Sequence, residues 1–563
     1  MPATTTAPRS LGTRALDTIE WLGNKLPDPV FLFLGCAIFV MLLSAVGSAA
    51  GWKVQPLKPT VVTQPMLDAA GAPILDDAGK PKTQPVLDEK GQPRVEFQPS
   101  GDPITTKSLL TAEGLWWAFS NMVKNFINFP PLGIVLTGML GIGVAEKVGF
   151  FGAAMKWMAG IVPGKLLTPT IVFIGIMSNI ASDAGYIVLP PLAAALYLAL
   201  GRPPLAGIAA AFAGVSAGFS ANLLVGSTDA LMAGLTTAAA KVIDPALDVV
   251  PTCNWTFMAG STFLLTFIGW AVTAMIVEPR LMKKPPEEGG PLPASAAELS
   301  SQKLSQGEAR ALRWAIIAEV VTLAAVLALI LIPGAPLNGL VDPKNANSAP
   351  KWTQAVVPLI FFLFLAPGLA YGIATGEIRK QADVARCFYH AIAGMAPIIV
   401  LAFFAAQFIE YLKYSNLDRM LAFVGGEALI SADLPTSMLL VGIVTLSLAV
   451  NLLIGSMSAK WTMLAPILVP MLMMVGLSPA LTQAAYRVGD SVTNIITPLN
   501  SYLLIILVAV QKYDKKAGMG TLIAMMMPYS VIFAIFWTIF LVIWVVLGIP
   551  LGPGGPLQYT PTQ

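Results

Sequence analysis

The sequence predicts an all-α polytopic membrane protein with nine transmembrane helices plus two re-entrant hairpins, arranged as an inverted repeat with broken helices. Three observations predict it. The chain is 56% hydrophobic and 12% charged, with a mean hydropathy of +0.72, far outside the range of soluble domains. Its apolar runs are about 20 residues long, which fits spanning helices and excludes an outer-membrane barrel of short alternating strands. Several of those runs are interrupted by Gly, Pro, Ser and Asn, a backbone tolerated at membrane depth only where it is buried in protein or lines a cavity.

Residues 1–28 read as a cytoplasmic tail with an interfacial helix ended by Pro27, followed by a first span at 29–50. An external insert, 52–108, carries three copies of Leu-Asp-x-x-Gly-x-Pro at Leu67–Pro73, Leu75–Pro81 and Leu87–Pro93. Asp followed by Gly three residues later is a turn signature, so short hairpins are expected. A calcium site is the sharper alternative, but the ligand spacing of a calcium loop is absent. Glu113–Asn128 reads as interfacial, with Trp116 and Trp117 as belt residues. A span at 130–146 and a surface helix near Lys156 follow.

The first half, 29–277, continues with a hairpin at 166–200, interrupted at Ser178–Gly185 into two arms each too short to cross alone. A broken helix at 205–240, interrupted at Ser220–Asp229, and a span at 255–277 complete it. A cytoplasmic linker, 278–312, divides the chain. The second half, 313–549, has spans at 314–333, 353–374 and 391–410, a hairpin at 437–475, a broken helix at 479–511 and a last span at 521–548, leaving 550–563 as an external tail. With nine spans and two hairpins, the basic clusters at Arg9–Arg14, Lys147–Lys165, Arg202, Arg280–Lys284, Arg310–Arg313, Arg379–Arg386 and Lys512–Lys516 fall on one side, which the positive-inside rule makes cytoplasmic. The amino terminus is then inside and the carboxyl terminus outside.

Aligning Ser182 with Ser458 brings Pro190 onto Pro466, and an aromatic residue follows each serine, Tyr186 or Trp461. The broken helices match in kind, Asn222-Leu-Leu against Asn494-Ile-Ile. A hairpin followed by a broken helix, twice, is the footprint of an inverted-repeat secondary transporter. Broken ends free carbonyls at one side and amides at the other, with opposite partial charge. Ser182, Asn222, Ser227, Asn451, Ser456, Ser458, Thr493 and Asn494 add neutral oxygens. Such a set suits dehydrated Na⁺ at carbonyl ends and an anionic substrate group at amide ends.

Asp183 and Asp490 are candidates to complete a cation site or to carry a coupling proton, and Arg487 to hold a carboxylate bidentately. The bland alternative pairs Arg487 with Asp490, three residues apart on one helical face. Trp461 either packs between helices or stacks on a ligand. Asp229 is read as a cap, Glu319 as one turn from the inner surface, and Lys460 as a hairpin-tip residue with partial water access.

No phosphate-binding Gly-x-x-x-x-Gly-Lys loop, His-Glu-x-x-His, Cys-x-x-Cys or Gly-x-Ser-x-Gly occurs, and His390 is the sole histidine. An enzyme, a cofactor and a nucleic-acid partner are therefore not expected. A carboxylate dyad of Asp183 and Asp490 acting as an intramembrane hydrolase, and a channel, are the rival classes. Cys36, Cys253 and Cys387 are assigned to different compartments, so no disulfide is expected.

The chain resembles the AbgT family, the p-aminobenzoyl-glutamate transporters, over nearly its whole length outside the insert. The resemblance rests on Leu22–Pro29, Ser182–Pro191, Asn451–Pro466 and Tyr486–Pro498. It implies a homodimer of nine-span protomers in a bacterial inner membrane, each with its own pathway. It also implies that Asp183, Asn451, Ser458, Trp461, Pro479, Arg487, Asp490 and Pro498 line the site, with Na⁺ near the Asn and Asp. Two activities are implied: ion-coupled transport of p-aminobenzoyl-glutamate, or efflux of sulfonamide-like antimetabolites driven by the proton gradient.

Overall fold

A computed structural model describes residues 29–66, 73–74, 81–86, 95–99, 101–160, 163–181, 184–291, 304–341, 350–497, 500 and 502–561. Ser182, Asp183 and Pro498, and most of the three Leu-Asp-x-x-Gly-x-Pro turns, lie outside the described residues.

Helix α1, Pro29–Ala49, starts on a proline that is preset for a helical first turn. Among the described residues of the insert, the strands form three nested two-stranded antiparallel sheets, while the Asp-Gly turns expected to close short hairpins lie almost wholly outside the described residues. Lys53–Val54 pairs with Ile104–Thr105, Leu57–Val61 with Val95–Pro99, and Thr63–Pro65 with Thr83–Pro85. Turn signals are local, whereas this pairing joins the two ends of the insert.

Helix α2, Ala112–Ile127, is capped by the Thr111 hydroxyl, which accepts from Gly114 N at 3.0 Å. Trp116, Phe119, Val123 and Ile127 form an exposed apolar stripe, the pattern of a helix lying in an interface. Its inner face is fixed to a later helix by Asn125 Nδ2 donating to Gln407 Oε1 at 2.9 Å. Helices α3, Pro130–Lys147, and α4, Phe150–Gly160, meet at a 65° bend. The bend falls at Gly149, whose φ of 84° favours glycine.

Helix α5, Leu167–Met177, ends in a tight turn at Ser178–Ala181, and α6, Ala184–Ala199, resumes after it. Helix α7, Pro204–Phe212, widens into a π-helical turn at Ala213–Ala217, then breaks before α8, Ser227–Ala240. Helix α9 runs as one rod from Trp255 to Leu281, past the expected start of the linker. Arg202 explains that extension: its Nε and Nη2 grip the two Glu278 oxygens at 2.6 Å each, and its guanidinium lies 4.0 Å from the Tyr197 ring centre.

Helix α10, Gln306–Leu331, opens with a Ser305/Glu308 capping box. Glu319 on it is half-buried, its Oε2 enclosed and without a hydrogen bond. Helices α11, Val356–Thr375, and α12, Gln381–Ser415, follow. The connection after α12 holds a helix of its own, α13, Leu417–Ala432. Then come α14, Thr436–Asn451, α15, Met457–Met474, α16, Pro479–Val492, α17, Tyr502–Gln511, and α18, Met519–Val546.

Among the described residues, seven helices are long and apolar enough to cross a membrane, or eight if the bent pair α3/α4 is one span. The interruptions expected in the two hairpins and two broken helices all appear as helix ends. Helix α15, at 18 residues, is nonetheless long enough to count among the seven, unlike its partner arm α14 at 16.

The segment after 549 is packed rather than trailing. Phe257 N donates to the Leu551 carbonyl at 3.0 Å, Ser478 N to that of Leu557 at 3.1 Å, and Tyr559 N to that of Gly476 at 2.9 Å. This strap fastens the α15–α16 turn to the start of α9. Two large apolar cores flank α16. One is built mainly from α5–α9, α14 and α16–α18, the other mainly from α1–α3, α8, α12, α13 and α15.

Candidate functional site

Every residue of α16 from Pro479 to Val492 is buried, although the helix carries Thr482, Gln483, Arg487, Asp490 and Ser491. A polar helix wholly enclosed among apolar ones must satisfy its charges internally, and it marks a functional centre. Ser478 caps it, accepting from Leu481 N at 3.0 Å, and Pro479 takes the first helical position. Helix α14 can approach closely because of Gly489: a Cβ there would lie 2.4 Å from the Val444 carbonyl oxygen. Small residues permit such backbone approach between membrane helices.

Arg487 and Asp490 do not neutralise each other. Arg487 Nη1 meets Asp229 Oδ1 at 2.6 Å, and its Nη2 donates to the Ser220 carbonyl at 2.9 Å. Asp229 is also the cap expected of it, its Oδ2 accepting from Gly226 N at 2.7 Å. One carboxylate thus closes the first broken helix and holds the arginine of the second. Asp490 Oδ1 takes Lys460 Nζ at 2.6 Å instead, with both side chains fully buried.

Lys460 therefore does not reach water as a tip residue. The turn ends at Ser456, whose hydroxyl caps α15 by accepting from Ala459 N at 3.3 Å. Lys460 then falls in the first turn of α15, facing α16. Its Nζ also donates to Asn451 Oδ1. Asn451 Nδ2, in turn, contacts the Asp490 carbonyl at 2.6 Å, Thr493 Oγ1 at 2.8 Å and Asn494 Oδ1 at 2.9 Å.

The two breaks face each other. Asn494 Nδ2 donates to the Ser216 carbonyl at 3.4 Å, Asn500 Nδ2 to Ser216 Oγ at 3.2 Å, and Ser220 N to Ser491 Oγ at 3.2 Å. Asn222 uses its Oδ1 locally, accepting from Leu224 N at 3.1 Å. Ser458 stands 3.2 Å from Ser456 Oγ and lines a small apolar cavity with Phe129, Leu132, Leu231 and Thr462.

Trp461 is fully buried. Its ring stacks on Tyr486 at 4.5 Å and its Nε1 donates to Thr236 Oγ1 at 2.9 Å. The Thr236 hydroxyl donates to Gln483 Oε1 at 2.6 Å, and Gln483 Nε2 donates to Asn254 Oδ1 at 2.8 Å. In this conformation the indole is held by the protein on its face and at its nitrogen. The Tyr486 hydroxyl lies 2.9 Å from Asp490 Oδ1 and 2.8 Å from the Met457 carbonyl.

Thr236, Asn254, Gln483 and Tyr486 were not among the residues singled out from the sequence. Gln483 gives a signal in its spacing, four residues before Arg487 and so on the same helical face. The structure brings together Asn451, Trp461, Arg487, Asp490 and Asn494, with Lys460 and Asp229 as the charges that complete them.

A model of the AbgT putative transporter family matches residues 14–559. The p-aminobenzoyl-glutamate transport protein of Escherichia coli (strain K12) is 35% identical over 538 residues, 95% of each chain. Two solved structures are similar throughout. The YdaH transporter of Alcanivorax borkumensis, whose crystal structure is described as revealing an unusual topology, has a TM-score of 0.78 and 37% identity over 94% of this chain and all of its own. MtrF of Neisseria gonorrhoeae, described as illuminating a class of antimetabolite efflux pumps, has a TM-score of 0.80 and 40% identity over 96% of this chain and all of its own.

Proposed function

The chain belongs to the AbgT putative transporter family, and from that premise we propose that it is an ion-coupled secondary transporter of p-aminobenzoyl-glutamate or a related aromatic amine carboxylate. The observation that carries this reading is the buried ion pair Arg487–Asp229, which joins the two interrupted helices, beside a second buried pair, Lys460–Asp490, which joins α15 to α16. Charges enclosed in a membrane protein are expensive, and exchange of their partners is a means of coupling ion and substrate.

In this reading Arg487 passes from the Asp229 carboxylate to a carboxylate of the substrate. Trp461 and Ser458 border the aniline ring, with Pro479, Pro498 and Asp183 shaping the path. Na⁺ or a proton is taken at Asp490 and Asn451, supported by Asn494, Asn222, Ser182 and Asp183. The Asp490 carboxylate and the side-chain oxygens of Asn451, Thr493 and Asn494 form a donor set suited to a hard monovalent cation.

We also propose nine crossings with re-entrant hairpins at α5/α6 and α14/α15, the two broken helices α7/α8 and α16/α17 each counting as one crossing. The protomers pair as a homodimer in a bacterial inner membrane, amino terminus cytoplasmic and carboxyl terminus periplasmic. Proton-driven efflux of sulfonamide-like antimetabolites is the second reading, favoured by the 40% identity to MtrF.

Proteoliposomes of the full-length protein test both. Radiolabelled p-aminobenzoyl-glutamate and a sulfonamide are followed under separately imposed Na⁺ and proton gradients. Flux of one compound, driven by one gradient and abolished by Asp490→Ala in a folded protein, is the expected result. Flux unchanged by that substitution removes Asp490 from the mechanism, and no flux of either compound removes the substrate class.

A further inference from the structure

The Lys460 ammonium lies directly against the Asp490 carboxylate. Its Nζ contacts Asp490 Oδ1 at 2.6 Å and donates to Asn451 Oδ1, so it draws on two oxygens of the donor set described above. The Asp490 carboxylate receives Tyr486 and Lys460 on the same oxygen, while Oδ2 is buried and makes no hydrogen bond. An oxygen left without a partner in such an enclosure costs free energy, and it is the atom a second ligand on that carboxylate would use.

Charge counting gives the same result. The groups facing Lys460 are Asn451 from α14 and Tyr486 and Asp490 from α16, and the adjacent Arg487 is held by Asp229. The enclosure therefore holds one carboxylate and one ammonium around the Asn451 side chain. A metal ion added beside the ammonium would leave an unbalanced positive charge in a buried site, where like charges repel strongly.

The ammonium is flexibly tethered near the surface of the fold. It is carried by a four-carbon stem with freely turning donors, one turn beyond the 452–456 turn, where Leu453 and Gly455 are exposed.

We propose that Lys460 is a tethered cation that fills the coupling-ion position in this conformation, so that metal-ion binding at Asp490 and withdrawal of Lys460 are one event. This rests on the transporter reading for its purpose but not for its test, which uses no transported compound. Lys460 is then a positioning residue for ion occupancy, distinct from a fixed neutraliser of Asp490.

The test is equilibrium binding of radiolabelled Na⁺ to purified full-length protein, at one mildly alkaline pH. Lys460→Met removes the competing charge and is expected to bind Na⁺ about tenfold tighter than the parent or better. Lys460→Met combined with Asp490→Asn is expected to lose that gain. Lys460→Arg keeps a charge in place and is expected to bind Na⁺ about tenfold more weakly than the parent. It also covers the case in which the methionine variant does not fold.

A folded Lys460→Met protein that binds Na⁺ no tighter than the parent overturns the proposal. So does Lys460→Arg with parental affinity, or an absence of Na⁺ binding throughout. A failure of the transporter reading would instead appear as absent flux with these affinities still displaced.

Discussion

Arg487 Nη1 sits 2.6 Å from Asp229 Oδ1, a contact that joins α16 in the second half of the chain to the first turn of α8 in the first half. Both side chains are almost wholly enclosed, so neither charge has water to fall back on. Removing one partner of a buried pair typically costs about 3–5 kcal/mol. Arg487→Met is expected to lose stability on that scale, read from thermal unfolding of the purified protein in detergent. Asp229→Asn is expected to be milder, because its side-chain oxygen can still accept from Gly226 N. The double variant should recover much of the loss, and strictly additive effects would show that the two halves are not joined here.

Most of the apolar helices and their interruptions were legible because both signals are local, whereas α13, which is not among the helices apolar and long enough to span, was not. Apolar runs and clusters such as Ser220–Asp229 or Thr493–Pro498 need no distant partner to be read. The charge partners were not legible for the opposite reason. Asp229 and Arg487 are 258 residues apart, and spacing along one helix offered only Asp490 as a partner for Arg487, as the alternative to a substrate carboxylate. Two charges three apart on a helix can each take a partner from a different neighbouring helix, and these do. Lys460 was misplaced because the sequence does not show where the turn ends, a point set by the Ser456 cap. The insert's end-to-end strand pairing was likewise out of reach, because Lys53–Val54 meets Ile104–Thr105 across the length of the insert and no local signal reports such a partner.

Trp461 is held by two separable contacts. Trp461→Phe removes the Nε1 donor to Thr236 but keeps an aromatic ring against Tyr486. A net loss of about 0.5–1.5 kcal/mol is expected from the missing hydrogen bond, whereas Trp461→Ala opens a cavity costing about 3–5 kcal/mol. In flux assays the alanine variant should lose aromatic substrates more than aliphatic dicarboxylates. Equal loss of both would make the indole purely a packing residue.

The close approach of α14 to α16 has a counterpart in the first half. A Cβ on Gly214 would lie 2.4 Å from the Val172 carbonyl oxygen, matching the distance at Gly489 from Val444. In each half, then, the helix that precedes the first interruption, α5 or α14, packs on the broken helix through a glycine. Gly489→Ala and Gly214→Ala are each expected to destabilise by about 1–3 kcal/mol through overpacking. Gly442→Ala on α14 is the control, since nothing lies within 4 Å of a Cβ there. It is expected to be neutral or stabilising by about 0.5–1 kcal/mol, and a Gly442→Ala loss equal to that of Gly489→Ala would refute the steric argument.

Asp418 sits at the start of α13, which is not among the helices long and apolar enough to span. The corner before it is fastened to the insert, with Lys107 N donating to the Ser415 carbonyl at 3.1 Å and Asn416 Nδ2 to that of Thr105 at 3.0 Å. Burial raises the Asp418 carboxyl from 3.8 to about 6, against the lowering effect of the Arg419 backbone N–H and of the Arg419 and Lys413 charges. A raised carboxyl pKa means that the folded protein holds the proton after the unfolded chain has released it. The contribution is therefore fully present below the unfolded value near 3.8 and is lost as pH rises through about 6. Asp418→Asn keeps a neutral side chain at every pH. Its thermal midpoint is expected to exceed that of the parent above about pH 6 and to approach it near pH 4, because the ionised form is the one that burial penalises. A difference between the two proteins that does not change across that window would show that Asp418 does not titrate there.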